Sequence, residues 1–94
     1  MAVARVVTFE GVGADRMQQM KSEMESSDPP EGMNPQELLV MHDADTQRAL
    51  VVVLFENDEE YRKGDEILSN MPAEDVPGRR TSVEKYDVPI QMKR

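Results

Sequence analysis

The chain has a single histidine, His42, and an imidazole is the side chain whose ordinary titration falls near neutral pH. It closes the apolar run Leu38-Leu39-Val40-Met41-His42. There it can act as a general acid or base, or serve as a half-buried sheet residue or a contact between subunits. Tyr86 offers a hydroxyl that can orient a ligand, or a ring packed in the core with a wet tip. Arg5, on an early apolar stretch, stands to meet Glu84 or Lys85 on a neighbouring strand. A cross-strand or intersubunit ion pair accounts for it more economically than anion binding does.

Other apparent motifs fail on their spacing. Gly11-Val12-Gly13 lacks the third glycine of a dinucleotide fingerprint, since Arg16 stands there. Asp43-Ala44-Asp45 begins like a calcium loop, but Arg48 and Leu54 occupy the positions that need glycine and a bidentate glutamate. The chain has no cysteine, which removes disulfides, thiolate metal sites and thiol nucleophiles together. With one histidine and no cysteine, the expectation is no transition-metal site and no cofactor. No Ser-His-Asp arrangement has local support.

The net charge of −8 describes a solvated, self-repelling surface and argues against a nucleic-acid or anionic-membrane partner, which would need a basic patch. No run approaches transmembrane length. Met1-Ala2-Val3-Ala4-Arg5 leads into a strand without a secretory apolar core, and a reducing cytoplasm is the expected location.

Positioning falls to a few elements. Ala49-Leu50-Val51-Val52-Val53-Leu54-Phe55 is seven apolar residues in a row within a chain that is 32% charged. Its length and β-branched content predict a strand, and its lack of alternation predicts cover on both faces. Val3 to Glu10 predicts a first strand, with Val3, Arg5, Val7 and Phe9 on one face and Ala4, Val6 and Thr8 on the other. A helix follows from about Asp15, which can supply acceptors to its first turn. Met17, Met20 and Met24 form its apolar stripe, a core face by spacing, although such a stripe can also mark a promiscuous groove.

Glu25 to Pro35 holds three prolines and a glycine and predicts a connector, in the first place a passive surface loop and, if anything closes over a pocket, the segment that does so. Leu38 to His42 predicts a strand that turns through Asp43 to Arg48 into the central run, a β-hairpin. Its register decides whether His42 shares the face of Val51 or of Val52. Asn57 and Glu60 fit a capping box for a second helix opening within Glu56–Glu60, with Tyr61, Gly64, Leu68 and Met71 on its buried stripe and Pro72 at its end. Gly64 on that stripe predicts close approach of helix to sheet. Pro77-Gly78 predicts a turn, Thr81 to Val88 a fourth strand, and residues 89–94 a tail.

The order β-α-β-β-α-β predicts a single α+β domain over residues 1–94, core about 3–88, of the ferredoxin-like type. Four antiparallel strands carry both helices on one face. The other face of the central strand then needs a second layer, and a domain this small has little to spare for it. A symmetric second chain would supply one.

The strand Arg5-Val6-Val7-Thr8-Phe9, the run Leu50–Phe55 leading into Glu56–Glu60, and Arg79–Val88 together resemble the dimeric α+β barrel superfamily, with its antibiotic-biosynthesis-monooxygenase-like and stress-responsive barrel domains. The resemblance implies two sheets packed face to face in a homodimer, with ligand cavities between sheet and helices. Trp, Asn and His are the residues that quinone-forming and haem-degrading relatives use, and here Trp is absent. The expectation is therefore a homodimeric module binding a small apolar ligand. The alternative it implies is a cofactor-independent monooxygenase or isomerase acting on a polyketide-like or phenolic compound, with His42 and Tyr86 polarising the substrate.

Overall fold

The computed structural model describes residues 1–26, 32–70 and 78–92. Six elements follow one another: β1 (Ala2–Glu10), α1 (Ala14–Glu25), β2 (Glu37–Asp43), β3 (Arg48–Phe55), α2 (Asp58–Ser69) and β4 (Arg79–Val88). The strands form one antiparallel sheet in the order β2-β3-β1-β4, the ferredoxin-like βαββαβ arrangement. The apolar run of β3 lies inside the sheet because β1 and β2 flank it. Among the described residues no helix is long and apolar enough to cross a membrane.

Register sorts the side chains onto two unlike faces. Val7 pairs with Val51 and Val83, and Val53 with Arg5 and Leu38, so odd-numbered residues of β1 and β3 share the helix face. There Val3, Val53, Phe55 and Tyr61 make one core cluster, and Val7, Phe9, Val12 and Ala49 make a second against which Met17 packs. The opposite face carries three aligned rows that no helix covers among the described residues, although Ala4 and Leu54 in the first of them are buried. They are Glu37, Leu54, Ala4 and Tyr86; then Leu39, Val52, Val6 and Glu84; then Met41, Leu50, Thr8 and Ser82. Leu39 and Met41 on that face are about half exposed, at 47% and 50%.

Capping and close packing place α2. The Asn57 side chain accepts from the Glu60 amide at 2.9 Å, one half of the expected capping box. The Glu60 carboxylate turns instead to Lys63. Gly64 lies against the Phe55 ring, where a Cβ would overlap the aromatic carbons. Phe55 meets Tyr61 edge-on, with centroids 5.8 Å apart.

Several expectations change in detail. α2 starts at Asp58 and ends at Ser69 with Asn70 as its cap. Met71, Pro72 and Pro77 lie outside the described residues, as does the middle of the Glu25–Pro35 connector. Gly13, not Asp15, caps α1; Asp15 sits inside the first turn, where its charge meets the helix dipole. β4 begins two residues early, at Arg79. A bulge opposite Thr8 and Phe9 leaves Thr81 out of the ladder, and its hydroxyl donates to the Thr8 carbonyl at 3.3 Å.

Arg5 corrects the sequence expectation. It faces α2 and not a neighbouring carboxylate of the sheet. Its Nε donates to Asp65 at 2.9 Å and one Nη to Ser69 at 3.4 Å, with only 4% of the residue exposed. Glu84 lies on the other face, and Lys85, directly across the ladder, is a second cation. Lys85 resolves that repulsion by reaching the Asp58 carboxylate at 2.9 Å and lying over the Tyr61 ring.

Candidate functional site

The hairpin register settles where His42 points. Asp43 pairs with Arg48 and His42 with Ala49, so Ala44 to Gln47 form the loop and His42 joins the helix face with Val40 and Val51. Gln47 adopts φ +58° at the loop's end, and the Asp43 carboxylate accepts from the Asp45 amide. This shape carries the Gln47 carbonyl to the Val12 amide at 2.8 Å. The Val12 carbonyl in turn lies 2.8 Å from His42 Nε2. Val12, fully buried, thus fastens the β1–α1 corner to strand β2 and to the hairpin loop.

A carbonyl oxygen can only accept, so Nε2 carries the proton in this bond and Nδ1 of the neutral ring keeps its lone pair. His42 is oriented, with one nitrogen committed to the Val12 carbonyl.

It borders a groove of about 570 Å³ between α1 and β2. α2 packs closely on β1 and β3, whereas α1 stands further from the sheet, and the groove is the space between. Met17, Met20 and Met24 line it from the helix and Val40 and His42 from the strand, with Gln18, Lys21 and Glu25 at its rim. The stripe read from the sequence as core is therefore divided in function. Met17 reaches the core cluster and Met20 is buried, while Met24 is exposed along the groove. Among the described residues Lys21 makes no ion pair.

Tyr86 is elsewhere. It projects from β4 on the open face, half exposed, and its hydroxyl donates to Glu84 at 2.6 Å. That hydrogen bond, then the charge of Glu84, raises the Tyr86 pKa above its ordinary value. β3 and β1 lie between it and His42, about 14 Å of sheet width. Within one chain the two side chains occupy opposite faces and opposite edges and cannot grip one ligand. Among the described residues no three His, Cys, Asp or Glu side chains gather as a metal site would require of them.

Beneath α2, burial is the main cause that raises the Tyr61 pKa, with the Asp65 charge adding to it. The hydrogen bond between Lys85 and Asp58 lowers the Asp58 pKa and raises that of Lys85. The sequence reading missed both this network and the role of Val12. Arg5 among apolar neighbours was the visible signal for the first; the Val12 bond depends on loop geometry that composition does not encode.

Compared with protein-family models and with curated proteins, the chain matches none.

Proposed function

We propose that the chain is a binding module that pairs with a second copy of itself through the open face of its sheet and holds a small, mostly apolar molecule in the groove between α1 and β2. The methionine-lined groove carries this reading. Its volume is of the size that small-molecule sites use, and Ala14, three methionines and Val40 give it an apolar stripe beside the polar Gln18, Lys21, Glu25 and His42. Methionine suits such a wall because its flexible thioether adapts to irregular shapes. Any chemistry there falls to His42, whose ring the Val12 carbonyl holds in orientation. The open face supports the pairing, since Leu39, Met41, Leu50, Val52 and Val6 form a continuous apolar surface across three strands.

Titration with an environment-sensitive naphthalene fluorophore tests the groove. Saturable binding at one probe per chain is expected. Met24→Glu, an exposed position whose charge would sit in the groove, should abolish it without changing the circular dichroism. Unchanged probe affinity in Met24→Glu contradicts the reading.

A further inference from the structure

We propose that the inner part of this groove is a site for a soft monovalent metal ion of the copper(I) or silver(I) type, with the thioether sulfurs of Met17, Met20 and Met24 and Nδ1 of His42 as its donors. Thioethers are neutral, polarisable ligands that hold soft ions and ignore calcium, magnesium and other hard cations. The three methionines recur at i, i+3 and i+7 of α1, which places them along two turns of one helix face. That face looks across the groove at β2, where His42 is the only imidazole of the chain.

The second observation is the bond to Val12. An imidazole that ligates a metal through one nitrogen characteristically donates its other N–H to a carbonyl or carboxylate, which fixes tautomer and orientation. His42 has the first half of that arrangement, with Nε2 held on the Val12 carbonyl at 2.8 Å, and the ligand role is assigned to Nδ1. Histidine and cysteine content alone points away from a metal; thioethers enter only where the fold sets them opposite the imidazole.

This inference shares the groove with the proposed apolar ligand but rests on the sulfur lone pairs, not on apolar bulk. Leucine separates the two, keeping the volume and apolar character of methionine while removing the donor. Silver nitrate, titrated into the full chain in chloride-free buffer, is the probe, with methionine methyl and imidazole NMR signals as the readout. The absence of cysteine means that no thiol competes.

One equivalent should shift the methyl signals of Met17, Met20 and Met24 together with the His42 ring, and leave those of Met1, Met41 and Met92 in place. The triple variant Met17→Leu, Met20→Leu, Met24→Leu should lose silver binding yet still take up the naphthalene probe. Met24→Leu alone, at an exposed position, should weaken silver binding, which keeps the test intact if the triple variant does not fold. No shift at one equivalent, an even shift over all methionines, an unmoved His42 ring, or wild-type silver binding in either leucine variant would overturn the assignment. Loss of probe binding with silver binding retained would remove the apolar-ligand reading and leave the metal site standing.

Discussion

His42 Nε2 and the Val12 carbonyl, 30 residues apart in sequence, meet at 2.8 Å, and that bond ties the edge strand β2 to the corner where β1 gives way to α1. The Val12 amide in turn donates to the Gln47 carbonyl, so the corner is held by both the edge strand and the loop of the hairpin. The wall of the groove and the orientation of its imidazole follow from this one fastening.

Replacing His42 with Phe keeps the bulk and orphans the Val12 carbonyl. A buried acceptor left without a partner costs about 1–3 kcal/mol. Urea denaturation should show a loss in that range, while His42→Gln, which can still donate, should lose less. Equal stability of wild type and His42→Phe would contradict the contact.

Gly64→Ala is expected to destabilise, although alanine is the better helix former by about 1 kcal/mol. The new methyl would overlap the Phe55 ring, and overpacking of this kind costs about 1–3 kcal/mol. Pairing the change with Phe55→Leu should recover part of the loss. A thermal midpoint raised by Gly64→Ala alone would show that α2 stands further from the sheet than described.

Arg5 and Asp65 should respond unequally to substitution. Asp65→Leu strands a guanidinium that is 4% exposed, whereas Arg5→Met removes the charge and fills the space. Asp65 itself is 40% exposed, so water screens part of the pair, and a loss of about 1–3 kcal/mol is expected from Asp65→Leu, below the value for a fully buried pair. Arg5→Met should cost less than Asp65→Leu; the reverse order would contradict the burial of Arg5.

Alkaline pH should weaken the fold. The Tyr61 pKa is raised above 10.0 by burial, that of Lys85 above 10.5 by its hydrogen bond to Asp58, and that of Tyr86 above 10.0 by its hydrogen bond to Glu84. Between the unfolded and folded pKa values the native state holds protons that the unfolded chain has released, so stability falls as pH rises through this window. Asp58 works on the acid side. Its pKa is lowered below 3.8 by Lys85, and its contribution is present above 3.8 and lost as pH falls through the folded value. Urea midpoints that stayed level from pH 9.5 to 11 would contradict the alkaline assignment.

Element order and type were legible because each rests on local signals. They include the unbroken apolar run of β3, the Asn57 cap, the methionine spacing of α1 and the glycine placed under Phe55. Arg5 shows where local reading stops. Its partner lies 60 residues away on a helix, and no strand-pairing rule points there. His42 shows it again, since its face turned on the length of one loop and the left-handed Gln47. Tyr86 and His42 are each visible as chemistry-bearing residues, but their separation is a property of strand order, which places β2 and β4 at opposite edges.

Two valines that are neighbours in β3 discriminate between the sheet's faces. Val53 is buried beneath α2, and an aspartate there should unfold the chain. Val52 lies in the middle row of the open face, where an aspartate should leave the fold intact and prevent pairing. Light scattering after size exclusion is the deciding measurement. The wild type is expected at about 21 kDa, twice the 10.7 kDa of one chain, and Val52→Asp at the mass of a folded single chain. A wild-type chain that runs as a stable monomer at micromolar concentration would contradict the pairing of the two open faces.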